Sequence, residues 1–257
     1  MNNANRNSIQ NATQQTHIKN QQLLNQILNK PAENIRNVCV FDLDSTLFNV
    51  SPRSEKILHE YAELNNLKEL LTVRVGPNDW GIGEALLRHG FSTEQAESTF
   101  EDLKKFWRER FFSNEYLEYD IPSAGAVHFV QMLHKNKVEI HYLTGRDVHR
   151  MGLGTKAVLL KWLFPLAGEE FLHLKPHRSI DDHEYKVGWV LDFQKNYPEK
   201  HIYFFENEPV NINRIFHSAA AREAISLVHI TTTHSRKENI SVPVFSIENF
   251  IMDKDED

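Results

Sequence analysis

The sequence predicts an α/β protein, a Rossmann-like parallel sheet with helices on both faces, carrying a small α-helical insertion. Three observations lead there. From residue 121 onward, short apolar runs alternate with amphipathic stretches of helical length, the pattern of βαβ units. About a hundred residues separate the first such run from the next, more than a simple crossover requires. Three of the runs end in polar clusters, at Asp42-Leu43-Asp44, at Thr144 and at Glu206-Asn207. Open α/β sheets bind ligands at the carboxyl ends of their strands.

Composition narrows the function classes. The chain has 257 residues, a formal charge of −6, 40% hydrophobic residues and one Cys. It is long enough to bury a sizeable core. The negative balance argues against a nucleic-acid binder. A lone Cys cannot make an internal disulfide, which argues against a disulfide-stapled secreted fold. No run approaches the roughly eighteen apolar residues of a membrane span, and the first thirty residues contain no apolar signal core. A cytoplasmic protein is expected. The oligomeric state is not legible.

Residues 1–30 form an Asn/Gln-rich zone with eight Asn, six Gln and no acid. Such a tract buries too little apolar surface to offset its ordering entropy. Disorder is expected over 1–16, and a docking helix over 17–29, where Ile18, Leu23, Leu24, Ile27 and Leu28 share a face. Val38-Cys39-Val40-Phe41 suits a buried strand. Ser51-Pro52 reads as an N-cap and first-turn proline, with helical spacing running on to Leu71. Val75 to Gly83 reads as a loop by its Gly and Pro content, with Trp80 either facing a substrate or packing inward. Ser92 with Gln95 forms a capping box that opens a second helix. Beyond it follow helix over Ala124–Lys135, strand over Val138–Leu143, helix over Lys156–Leu163, helix over Asp182–Asn196 and strand over His201–Phe205. Helix over Asn211–Ala220 and strands over Ser226–Thr231 and Val242–Ile247 complete the series. Residues 31–50 and 121–250 are thus read as a core domain, 51–120 as a helical insertion and 251–257 as an acidic tail.

The polar strand ends carry the chemistry. Phe41-Asp42-Leu43-Asp44-Ser45-Thr46-Leu47-Phe48 resembles motif I of the haloacid dehalogenase-like (HAD) hydrolase superfamily. Leu143-Thr144-Gly145-Arg146 resembles its motif II, and Phe204 to Pro209 occupies the place of its motif IV. The resemblance covers roughly residues 36–250. It implies a Mg²⁺-dependent phosphomonoester hydrolase of phosphatase type, acting through an aspartyl-phosphate on a small phosphorylated metabolite, with 51–120 as a cap. Asp42 would be the nucleophile and Asp44 the acid and base, while Thr144 would bind a phosphoryl oxygen. Gly145 and Arg146 would adjoin the substrate, although Arg146 could equally pair with Asp147. A lysine should neutralise the phosphoryl charge. Lys186, near the start of the helix before motif IV, is favoured over Lys175. Metal would be held by Asp42, Asp44, Glu206 and Asn207.

Motif IV departs from the usual Asp, since Glu206 and Asn207 stand there, with Glu208 in reserve and Asn211 as support. That departure sustains an alternative, a catalytically weak HAD-like binding module. A phosphatase acting on nucleic-acid ends or phosphoprotein is a further alternative. Cys39 is read as a core residue, and none of the fourteen His is given a role.

Overall fold

A computed structural model describes residues 22–28, 36–220 and 222–252. The stretch 1–16, expected to be disordered, and all of the expected 251–257 tail but Ile251 and Met252 lie outside the described residues. Strands β1 (Arg36–Phe41), β4 (Glu139–Asp147), β5 (Leu172–Lys175), β6 (Lys200–Glu206), β7 (Ile225–Ile230) and β8 (Phe245–Ile247) form one sheet in the order β5-β4-β1-β6-β7-β8. Every pairing in it is parallel. The chain crosses from β1 to β4 on one side and later returns to β6 on the other. The switch point therefore lies at β1, whose end carries Asp42.

Alternation along β1 divides the interior in two. Cys39 and Phe41 face a layer holding Leu24, Ile27, Phe129, Leu133 and Leu159. These belong to α1 (residues 22–28), α5 (Ala126–Lys135) and α6 (Val148–Lys161). Val38 and Val40 face Val190, Phe193, Ile212 and Ile215 on α7 (Asp182–Asn196) and α8 (Pro209–Ser218). Phe41 stacks on Phe205 of β6 with ring centroids 4.4 Å apart, joining the two central strands. The Asn/Gln-rich zone does contribute a docking helix, with Leu24 and Ile27 sealed in the core.

Between β1 and β4 the chain leaves and returns through a two-stranded antiparallel ribbon, β2 (Phe48–Asn49) with β3 (Ile121–Pro122). The intervening residues build α2 (Ser51–Leu64), α3 (Ile82–Arg88) and α4 (Thr93–Phe111) around their own apolar cluster of Leu58, Leu70, Ile82, Leu86 and Leu103. The capping box at Ser92 and Gln95 is present.

Four local readings are corrected. Ser51 is not the cap of α2. Val50 holds that place, Pro52 lies one residue further in, and the Asn49 carboxamide oxygen accepts from the Ser51 amide at 3.0 Å. The helical spacing to Leu71 breaks at Asn66, whose φ of 56° is left-handed, and resumes as a 3₁₀ turn over Lys68–Thr72. The expected loop yields early to α3, because Gly83 sits inside a helix of only seven residues. Helix α6 starts at Val148, with Asp147 capping the Arg150 amide at 3.0 Å. Glycines at 152 and 154 hide its first turns in the sequence. At Gly154 a Cβ would lie 2.4 Å from the Asn114 carbonyl oxygen, so the close approach of the two segments requires glycine.

Candidate active site

β1 ends by directing two carboxylates to different partners. Asp42 lies where the chain leaves the sheet, its amide still bonded to the Phe205 carbonyl at 3.0 Å. Lys186, from the second turn of α7, donates to Asp42 Oδ1 at 2.6 Å and to Glu206 Oε2 at 2.8 Å. All three residues are buried. Glu206 is held from every side. Its Oε1 accepts from the Asn207 and Glu208 amides, and its Oε2 also accepts from Asn211 Nδ2 at 2.8 Å. Two buried carboxylates thus share one ammonium, which leaves an excess of one negative charge. Burial pushes the Asp42 carboxyl up to about 7; Lys186 opposes the rise and the Glu206 charge adds to it.

Asp44 turns the other way. Arg53 Nη2 and Arg146 Nη2 both donate to its Oδ1 at 2.6 Å. The same two guanidiniums hold Asp120, Arg53 through Nε and Nη2 at 2.8 Å and Arg146 through Nη2 at 2.7 Å. Two cations and two anions balance, and the fork geometry of arginine suits such bridging. Burial would raise the Asp44 carboxyl, but Arg146 and Arg53 override it and hold Asp44 well below the usual carboxylate range. Burial raises Asp120, with both arginines opposing. Arg53 comes from α2 and Asp120 from the residue directly before β3, while Arg146 lies on β4, so this quartet ties the inserted helices to the sheet.

Thr144 and Gly145 line the same cavity as Asp42, Asp44, Lys186 and Asn207. At Gly145 a Cβ would come within 2.7 Å of the Asp182 carboxylate, so any side chain would displace that wall. Arg146 also lines the cavity, but its guanidinium is engaged with Asp44, Asp120 and Thr155. Lys175 is placed elsewhere. It pairs with Asp182 and donates to the Ile180 carbonyl at 2.8 Å. Asn207 Oδ1 accepts from Thr46 Oγ1 at 3.3 Å, while its Nδ2 donates to the Thr233 carbonyl at 2.7 Å. Glu208 is directed at Ser235, whose amide and hydroxyl both donate to it at 2.8 Å.

Arg53 and Asp120 escaped the sequence reading. The available signals were an arginine four residues before Ile57 on the buried face of α2, and an acid directly before the Ile121-Pro122 ribbon.

Among the described residues, no group of three or more His, Cys, Asp or Glu side chains is arranged to hold a metal ion. Asp42, Asp44 and Asn207 line one cavity, and there they offer carboxylate and carboxamide oxygens. These are hard oxygen ligands next to an uncompensated negative charge, a set that fits Mg²⁺ better than a softer ion.

No family model and no curated protein matches the chain in sequence. Solved structures do match in fold. A haloacid dehalogenase-like protein of Burkholderia xenovorans superposes with a TM-score of 0.51 at 15% identity, over 84% of this chain and 96% of that one. A HAD-superfamily hydrolase of subfamily IA from Geobacter sulfurreducens gives a TM-score of 0.51 at 12% identity, over 84% and 93%. The fold is that of the HAD-like hydrolases. Among the described residues no helix is long and apolar enough to cross a membrane.

Proposed function

We propose that the protein is a hydrolase of HAD type acting on phosphomonoesters, with Asp42 as the nucleophile. The observation that carries this reading is the Asp42–Lys186–Glu206 cluster at the switch point, facing a cavity that Thr144 also lines. A carboxylate attacks a phosphate ester only where the combined negative charge is countered. Lys186 supplies one counter-charge beside the attacking oxygen. Mg²⁺ held by Asp42, the Asp44 carbonyl and Asn207 or Glu206 would supply the other, as a Lewis acid that neutralises phosphoryl oxygens.

In the first half-reaction an Asp42 oxygen bonds to phosphorus and the ester P–O bond breaks. The leaving oxygen takes its proton from Asp44. In the second, water bonds to phosphorus, its proton passes to Asp44, and the Asp42–phosphorus bond breaks to release phosphate. Thr144 donates a hydrogen bond to a phosphoryl oxygen. Asp44 must loosen from Arg53 and Arg146 to gain a proton. Because Arg53 rides on α2, movement of the 51–120 cap would free Asp44 from Arg53, leaving Arg146, on β4, as its one remaining cation. The cavity, about 320 Å³, lies at the small end of ligand pockets, which favours a metabolite over a macromolecule.

One feature favours the second reading, a HAD-like binding module. Asp44 is held ionised by two arginines, a poor resting state for an acid. Hydrolysis of p-nitrophenyl phosphate with Mg²⁺ separates the two. A phosphatase gives metal-dependent turnover that Asp42→Asn abolishes. A module gives no Asp42-dependent turnover, and calorimetry then reads whether Mg²⁺ binds at all.

A further inference from the structure

The cavity is chemically lopsided. Asp42, Lys186 and Thr144 line it from the sheet and α7, while Trp107, Phe111, Phe112, Val75 and Trp80 line it from the inserted helices and the loops beside them, with Met151 of α6. Trp107 stacks on Phe111 at 4.5 Å between centroids, and Phe112 meets both rings edge-on, at 5.9 Å from Trp107 and 5.1 Å from Phe111. This is a preformed wall of aromatic edges and faces.

Charge on the walls is already used. The inserted segment contributes no Lys or Arg to the lining. Its one lining acid, Asp79, is bound by Arg88 and by the Gly76 amide. On the sheet side, Glu208 is taken by Ser235 and Asp182 by Lys175. The two lining cations, Lys186 and Arg146, are each shared by two carboxylates. A second negative charge on the substrate would therefore enter an apolar chamber with no free cation to meet it, which is costly.

We infer that the leaving group is an uncharged, ring-bearing alcohol, its ring against Trp107, Phe111 and Phe112. This deepens the phosphatase reading and rests on it. Sugar bisphosphates and phosphorylated carboxylic acids are disfavoured.

The test uses alkyl esters, so that intrinsic leaving-group reactivity is nearly constant. Values of kcat/KM are measured for 2-phenylethyl phosphate, glycerol 3-phosphate and 3-phosphoglycerate, with p-nitrophenyl phosphate as reference. Ring burial predicts that 2-phenylethyl phosphate exceeds glycerol 3-phosphate by about 30-fold or more, with 3-phosphoglycerate lowest. Trp107→Ala should shrink the preference severalfold. Trp107→Phe, which keeps an aromatic ring there, should keep most of it. Equal or reversed preference in the parent, with Asp42-dependent turnover of p-nitrophenyl phosphate intact, overturns the inference alone. A preference that survives both Trp107 variants unchanged also overturns it. Absence of Asp42-dependent turnover on every ester overturns the phosphatase reading and the inference with it.

Discussion

Replacing Lys186 by Met removes the one cation between two buried carboxylates. Its ammonium sits 2.6 Å from Asp42 and 2.8 Å from Glu206. Removing one partner of a buried ion pair costs about 3–5 kcal/mol, since the charge left behind has neither water nor counter-ion. Here two carboxylates are stranded together, but protonation limits the damage. Asp42 already titrates at about 7 with Lys186 present, so without the lysine it is largely neutral at pH 7. The net loss is expected near about 4 kcal/mol, or about 10 °C in Tm for a chain of this size. The sign of its pH dependence follows. An acid whose folded pKa is raised binds more protons folded than unfolded, so stability falls as pH rises toward that pKa. The gap between parent and variant should therefore widen from pH 6 to pH 8. Urea unfolding followed by tryptophan fluorescence reads this directly. Adding Glu206→Gln to Lys186→Met removes the second stranded charge and should recover a substantial part of the loss. A Lys186→Met protein within about 1 kcal/mol of the parent at pH 8 would refute the reasoning. So would a double variant less stable than the single one.

Two further outcomes are expected. Arg53→Met should destabilise by about 3 kcal/mol, because Asp120 is fully buried and would keep only Arg146; urea denaturation checks it. Burial pushes His173 down to about 4, with His141 adding to the effect. The unfolded chain gains that proton near pH 6.5 and the folded chain does not. Stability should thus drop by about 1 kcal/mol between pH 7 and pH 5, after allowance for partial exposure, and His173→Gln should flatten the drop in paired urea titrations.

Much of this architecture was legible before any coordinates. The Val38–Phe41 run, the Asp182–Asn196 helix and the polar strand ends are local signals, and the structure brings Asp42, Thr144, Lys186, Glu206 and Asn207 to one end of one sheet. What escaped is nonlocal or masked. β5, Leu-His-Leu-Lys, lacks β-branched residues and is a strand only because β4 offers it an edge. α6 conceals its start behind glycines that neighbouring backbone requires. Arg53 and Asp120 lie 67 residues apart, and no spacing rule joins them. Spacing favoured Lys186 over Lys175, but the Asp182 that occupies Lys175 is seen only in three dimensions.

The central claim is that Asp42 bonds to phosphorus. Trapping tests it most directly. The protein is mixed with substrate and Mg²⁺, quenched in acid during turnover, reduced with borohydride and mapped by peptide mass spectrometry. An acyl phosphate at Asp42 is reduced to homoserine, so residue 42 should be converted in the parent and unaltered when substrate is omitted. Turnover with residue 42 unconverted, or conversion at another carboxylate, would contradict the account.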